Sequence, residues 1–430
     1  MKHFVRNIRT LAKGKLRKDA LAILEAGLHA INTEEAIRRS VHRTGNILKI
    51  QNRSYQLDRY RNIYVLAVGK VAFDAAKTLE QILGSRITDG VVLDVKVGLL
   101  KRLTCRKGTH PFPSLPNMKA TGEMLGILKH LEKDDLVLVV VSGGGSSLLC
   151  WPTDLSCENL SLLTRTLMEK GATIEEINTV RKHTSDIQGG QLAALAQPAQ
   201  VVGLIFSDVV GNELSTVASG PTFLDKTTVE DAQVILNKYH LLQACHLPSC
   251  TLKETPKDKN IFRSVSNILI VSNREAVNAM KEEAKRLGYI PRIVSTRLEG
   301  EARIVGRTMA EKVHPGEVLI AAGETTVSMT GNGRGGRNQE TALGSLLFLP
   351  EDALLLSCAS DGIDNTPVAG AIADAFVKER AVRLKLDPGR YLRSNDSFSF
   401  FKRVDAQILT GVTGMNVADF LIALRPLSFL

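Results

Sequence analysis

Ten consecutive residues, Gly331-Asn332-Gly333-Arg334-Gly335-Gly336-Arg337-Asn338-Gln339-Glu340, combine four glycines with two arginines. They lie between an apolar run, Val318 to Ala322, and a helix-like segment from Thr341 to Phe348. Glycines let a backbone approach a ligand closely, and a helix N-terminus offers amide donors and a positive dipole end. Two guanidiniums add forked donors, so Gly333, Arg334, Gly335, Gly336, Arg337, Asn338 and Glu340 become candidates for holding a phosphate. The same residues also read as a glycine-rich surface turn with solvated arginines. Gly331, Gly333 and Gly336 satisfy G-x-G-x-x-G as well, but about eight residues separate them from the preceding strand-like run, which weakens a dinucleotide fingerprint.

A second cluster, Ser142-Gly143-Gly144-Gly145-Ser146-Ser147, follows the apolar run Val139 to Val141. Its amides and hydroxyls suit an anion cradle, or a plain tight turn. A serine nucleophile on an elbow needs glycines two places before and two after it; Ser146 has Gly144 before it but Leu148 after it. Lys70 closes the run Val65 to Gly69, at the strand end where open α/β sheets bind ligands. There it is a compact charge for a phosphate, or a solvated lysine at a helix start. Asp208 follows the apolar run ending at Phe206 and reads as a metal-binding or base carboxylate, or as a helix N-cap. Asp361 and Asp364, with Gly362 between them, suit a Mg²⁺ site or a pair that orients a hydroxyl. Glu175, Glu176, Asn178, Arg181, Lys182 and His183 share one predicted helix, whose charged face reads as solvated or, at Asn178 and Arg181, as binding substrate or phosphate.

These residues need elements to position them. Strand-like runs are Ile63–Val68, Gly90–Val95, Leu136–Val141, Gln200–Phe206, Ile268–Val271, Ile290–Val294, Val318–Ala322, Ala353–Ser357 and Gln407–Thr410. Several are nearly continuous in apolar residues, as strands covered on both faces of a parallel sheet are. Helical patterns, such as Val71–Leu83, Met118–Leu131, Glu275–Leu287 and Glu301–Val313, lie between them. Alternating strands and helices predict an α/β protein with parallel sheets. A length of 430 residues exceeds one comfortable core, and the polar stretch Ser249–Ser264 places a domain boundary at 262/263.

The 44% hydrophobic and 23% charged content fits a globular chain, and no window approaches the roughly 18 apolar residues of a transmembrane helix. The basic N-terminus, with Arg6, Arg9, Lys13, Lys15, Arg17 and Lys18, reads as the polar face of a first helix. A net charge of +10 suits anionic small substrates; no nucleic-acid signature accompanies it. Six cysteines without a CxxC pair fit a reducing, cytoplasmic setting rather than a disulfide or zinc scaffold.

Taken in order, the motifs resemble the class II glycerate kinases, the MOFRL family. They include the VGK at 68–70, His110-Pro111, SGGGSSLL from Ser142, EINTVRKH from Glu176 and SDVVGNELSTVASGPT from Ser207. GETTV from Gly323, GRGGRNQE from Gly333, SDGID from Ser360 and TGVTGMNV from Thr410 complete the series. The resemblance implies two α/β domains, the N-terminal one Rossmann-like (1–262) and the C-terminal one the MOFRL domain (263–430), with the active site in the interdomain cleft. It implies ATP and Mg²⁺ as cofactors, D-glycerate as substrate, 2-phosphoglycerate as product, and a monomer or homodimer that binds neither membrane nor nucleic acid. Catalytic importance passes to Lys70 and Arg337, with Asp208, Asp361 or Asp364 at the metal or the hydroxyl. Gln188 and Gln191 stand where the family usually has basic residues, and Asn365-Thr366-Pro367-Val368 where a further aspartate is common. The family has also carried the label hydroxypyruvate reductase, an NAD(P)H-dependent activity that is the alternative expectation.

Overall fold

The computed structural model describes residues 3–207 and 214–427; Asp208 lies outside the described residues. The chain forms two compact units, Thr33–Ile270 and a discontinuous one of Met1–Asn32 with Val271–Leu430. The boundary at 262/263 had assigned the N-terminal segment to the first domain; it packs instead with the C-terminal residues. Its helix Gly14–Ala30 buries Arg17, whose Nε and Nη2 donate to Asp374 at 2.6 and 2.8 Å, so Arg17 does not belong to a solvated face. Tyr289 donates to Asp19 at 2.8 Å. A Cβ on Gly27 would lie 2.8 Å from Met280 Cγ, so the glycine allows this helix to pack closely against the helix Asn273–Arg286.

The Thr33–Ile270 unit opens with an antiparallel meander, β1 (Val41–Thr44), β2 (Ile47–Ile50) and β3 (Arg53–Gln56). A six-stranded sheet follows, built from β4 (Asn62–Val68), β5 (Asp89–Asp94), β6 (Thr104–Lys107), β7 (Asp135–Val141), β8 (Gln200–Phe206) and β9 (Val265–Val271). The order is β6-β5-β4-β7-β8-β9, and β6–β5, β5–β4, β4–β7 and β7–β8 pair in parallel. All seven residues of β7 are buried, which is why that strand reads as one apolar run. The chain winds outward from β4 through β5 to β6, then returns to add β7 on the other side of β4. That reversal makes the carboxyl ends of β4 and β7 a topological switch point, where open α/β sheets leave a crevice. Lys70 follows β4 and Ser142 follows β7.

The second unit holds β10 (Ile290–Leu298), β11 (Glu317–Gly323), β12 (Leu354–Ala359), β13 (Gly370–Asp374), β14 (Gln407–Ile408) and β15 (Asp419–Leu424), in the order β10-β11-β15-β12-β13-β14. Here the expected parallel sheet is mixed. Among the described residues only β10–β11 is parallel; β15 runs antiparallel to both β11 and β12, and β12, β13 and β14 pair antiparallel. The link between β12 and β13 is too short for a parallel crossover, which needs a dozen residues or more. No helix among the described residues is long and apolar enough to cross a membrane.

Candidate active site

At the switch point two chain reversals meet. Lys70 N donates to Gly143 O at 2.9 Å, and Gly69 N to Leu93 O at 3.2 Å. Gly69 has φ +118°, and a Cβ there would lie 2.0 Å from Ser142 Oγ, so this approach of β4 to β7 admits only glycine. In the serine–glycine loop, Gly145 N donates to Ser142 O, while Ser147 N and Leu148 N both donate to Gly144 O. These bonds close the turn. The amides of Gly143 and Gly144 donate to no protein acceptor among the described residues, and so remain for a ligand. Gln188 braces the loop from behind, its Nε2 donating to Ser146 O and Leu149 O at 2.8 Å each. Ser146 Oγ lies 3.1 Å from Ser219 Oγ, which donates to Asn178 Oδ1 at 2.9 Å. Ser219 and its neighbour Ala218 hold φ of +57° and +51°, a cost that non-glycine residues bear mostly where a site demands it.

The helix Ile174–His183 supplies the cations. Thr173 and Glu176 form its capping box, which leaves Asn178, Arg181, Lys182 and His183 buried. The solvated face expected for this helix is therefore confined to its start. Lys182 Nζ meets Asp225 at 2.9 Å. Arg181, one residue earlier, is only 8% exposed, yet its guanidinium has no hydrogen-bond or carboxylate partner among the described residues. Desolvation pulls its pKa down to about 10. His110 completes the cluster. A Cβ on Gly144 would lie 3.1 Å from both His110 Cδ2 and Lys70 Cγ, so the two side chains flank one glycine. Desolvation, then the charges of Lys70 and Arg181, hold His110 down at about 4, which keeps it neutral at neutral pH although part of the ring meets solvent. From sequence, His110-Pro111 stands out only as a family motif, and Ser219 only as part of the small, hydroxyl-rich run SDVVGNELSTVASGPT. The small-residue run around Ser219 was the one available signal for it.

The arginine–glycine loop in the second unit is built differently. Gly331 N donates to Asn395 Oδ1, Gly333 N to Ser394 O and Arg334 N to Asp396 Oδ1, at 2.9, 2.8 and 3.1 Å. A Cβ on Gly331 or Gly333 would come within 2.6 or 2.4 Å of Ser394 backbone atoms, so these glycines allow backbone to pack on backbone. At the start of the helix Arg337–Ser345, Asp364 Oδ1 accepts from Asn338 N and Nδ2, and Oδ2 from Gln339 N and Nε2. Two of the helix-end amides expected to cradle a phosphate, those of Asn338 and Gln339, are thus taken by Asp364. In return all four lone-pair sites of Asp364 are used, which closes it to the metal role the sequence suggested. Glu340, 2% exposed, is held by Arg303 Nε at 2.9 Å and Asn395 Nδ2 at 3.1 Å, and Asn338 Oδ1 accepts from Ser357 Oγ at 2.6 Å. Both side chains brace the loop.

What this loop presents is its two arginines. Arg334 is exposed and stacks its guanidinium 4.9 Å from the Phe398 ring centre. Arg337 Nε donates to Asp419 Oδ2 at 2.5 Å, and Nη1 pairs with Glu324. Desolvation lifts the Asp419 carboxyl to about 7 against the pull of Arg337. Desolvation would lower the Arg337 pKa, but Asp419 and Glu324 outweigh it, so the arginine stays charged. Neither Glu324 nor Asp419 was singled out from sequence, because each is far along the chain from Arg337. Asp361 is half-buried, its Oδ1 accepting from Ile363 N at 2.9 Å. Among the described residues no three His, Cys, Asp or Glu side chains converge to hold a metal.

Residues 19–249 match a family described as a domain of unknown function, DUF4147, and residues 317–419 match the MOFRL family. A D-glycerate 2-kinase of Thermotoga maritima is 36% identical over 426 residues, covering 95% of this chain and 98% of its own. A glycerate 2-kinase of Pyrococcus horikoshii is 35% identical over 433 residues, covering 95% and 97%. The crystal structure of the Thermotoga maritima glycerate kinase superposes with a TM-score of 0.81 at 34% identity, covering 95% of this chain and 99% of that one.

Proposed function

Because the chain belongs to the class II glycerate kinases of the MOFRL type, we propose that it transfers the γ-phosphoryl group of ATP to the 2-hydroxyl of D-glycerate, giving 2-phosphoglycerate and ADP. The observation that carries this reading is the β4–β7 switch point, where two unspent amides, Lys70 and Arg181 gather beside neutral His110. Phosphoryl transfer is mostly positioning and charge neutralisation, and a site of this composition supplies both. Lys70 and the Gly143 and Gly144 amides offset charge on the transferring phosphoryl, with the Ser146 and Ser147 hydroxyls beside them. In the second unit Arg337, fixed by Asp419 and Glu324, is the other cation to which the family resemblance gives catalytic weight.

Mg²⁺ binds through one or two carboxylates plus phosphate oxygens and water, so a cluster of three protein ligands is not required. Asp361 fits that role, and Asp208 is the other candidate for the metal or the attacking hydroxyl. Bound there, Mg²⁺ would neutralise charge on the triphosphate. The supply of ATP and six free cysteines suit a cytoplasmic setting.

The test is phosphorus NMR of the products after incubation with ATP, Mg²⁺ and D-glycerate. A 2-phospho product is expected; a 3-phospho product would move the acceptor position, and no phosphoester would refute the kinase. Oxidation of NADH on adding hydroxypyruvate would instead support the reductase.

A further inference from the structure

The Thr33–Ile270 unit holds a second donor-rich pocket, at the opposite end of its six-stranded sheet from Lys70 and Ser142. Its volume is about 410 Å³, within the ~300–1,000 Å³ of small-molecule sites. Arg53 and Tyr55 line it from β3, Arg59 and Tyr60 from the link into β4, Gln200 from the first residue of β8 and Ser266 from β9. Because β4 and β8 both run parallel to β7, their first residues share the amino end of the sheet. No carboxylate lines the pocket, and neither arginine has a carboxylate partner among the described residues.

The groups around the two guanidiniums have donors to spare. Arg53 Nη1 donates to Ser266 Oγ at 2.8 Å, and its Nε and Nη2 have no acceptor among the described residues. Tyr60 donates its hydroxyl proton to Gln200 Oε1, which leaves the Gln200 Nε2 hydrogens without a protein acceptor among the described residues. Tyr55 is 6% exposed, and its hydroxyl, although Ser266 and Arg53 stand beside it, meets neither in a hydrogen bond. Burial raises its pKa, so it stays a protonated donor. A buried hydroxyl left without an acceptor is costly, and a ligand that supplies one removes the cost.

We propose that this pocket binds the phosphate group of a small phosphate ester, at a site separate from the catalytic switch point. Two guanidiniums with no acid between them match a dianion. The tyrosine hydroxyl and the Gln200 amide add hydrogen bonds that its oxygens accept. Arg53 and Arg59 are exposed, so the dianion stays partly hydrated and costs less to bind than in a dry cavity. Inorganic phosphate and 2-phosphoglycerate both carry this chemistry. The site stands apart from the kinase reading, since none of its residues belongs to the two glycine-rich loops.

Isothermal titration calorimetry of 2-phosphoglycerate and of inorganic phosphate into wild type, R59Q, R53Q/R59Q and Y55F tests this. Two binding events for 2-phosphoglycerate are expected in wild type, one at the switch point and one here. R53Q/R59Q should keep only the first, with initial-rate kcat and KM for both substrates within about twofold of wild type. R59Q alone, which changes an exposed side chain, should weaken the second event at least about tenfold, the worth of hydrogen bonds to a charged group. Y55F should weaken it roughly 3–10-fold without lowering the melting temperature, because the lost hydroxyl had no protein partner. Equal affinity for inorganic phosphate would make the phosphate group alone the ligand; tighter binding of 2-phosphoglycerate would add its carbon skeleton. If the kinase reading fails, wild type should show one event and R53Q/R59Q none. A titration unchanged in R53Q/R59Q would overturn the site, and so would a lowered Y55F melting temperature with binding unaltered.

Discussion

The two glycine-rich loops look alike as sequence and spend their amides differently. In Ser142–Ser147 the turn closes on itself through the amides of Gly145, Ser147 and Leu148, and among the described residues those of Gly143 and Gly144 meet no protein acceptor. In Gly331–Glu340 the amides of Gly331, Gly333, Arg334, Asn338 and Gln339 are consumed by Ser394, Asn395, Asp396 and Asp364, while those of Gly335, Gly336 and Arg337 meet no protein acceptor among the described residues. The guanidiniums differ as well: among the described residues Arg181 has no carboxylate partner, whereas Arg337 has two. Glycine content alone therefore does not mark a candidate anion site; the donors that the fold leaves unsatisfied do.

This contrast is easiest to break at Arg337. R337A should lower kcat and also stability, because Asp419 loses its counter-charge and takes up a proton instead; with Arg337 about a third exposed the loss is on the order of 1 kcal/mol. Adding D419N should restore most of the melting temperature and none of the turnover. If R337A were as stable as wild type, the view of this arginine as both a reagent and a brace would fail. K70A should lower kcat by roughly 10²–10³-fold, the usual loss for one positioned charge. Near-normal turnover in K70A would remove the switch point from the chemistry.

D364A should cost about 1–3 kcal/mol in chemical denaturation, because it leaves the buried amides of Asn338 and Gln339 without an acceptor. Added Mg²⁺ should not reduce that loss; if it did, Asp364 would be a metal ligand after all. The smallest effect is a pH slope at Asp94, which accepts from Phe73 N at 2.9 Å and whose carboxyl desolvation raises to about 6. The folded state then holds this proton more tightly than the unfolded chain, whose aspartates titrate near 3.9. Its contribution to stability is present below about pH 4 and declines as pH rises to about 6. D94N should flatten denaturation midpoints across that window, and an unchanged slope would refute the assignment.

How much of this was legible depended on range. β7 and β8 announced themselves as unbroken apolar runs, and the loop after β7 as a glycine–serine turn at a strand end, because both are local patterns. Asp364 read as a metal ligand because its true partners lie 25 and 26 residues earlier in the chain, and nothing in Asp-Asn-Thr names them. β13 and β15 went unread: Gly-Ala-Ile-Ala-Asp is a weak strand pattern, and Asp419–Leu424 follows a glycine-rich loop without a clear boundary. The burial of Arg181 and Lys182 was also hidden, since charged residues on a helix are usually solvated.

The union of Arg17 with Asp374, 357 positions apart, also sets a timetable for biosynthesis. At about 5–20 residues per second, the leading helix leaves the ribosome roughly 20–70 s before its counter-charge exists. In the last part of that interval the Thr33–Ile270 unit already has every residue it needs, while the helix Gly14–Ala30 still waits for its destination. This helix is thus made before the Thr33–Ile270 unit but placed after it, and a bulky group attached near it would interfere with the C-terminal half rather than with the sheet it directly precedes.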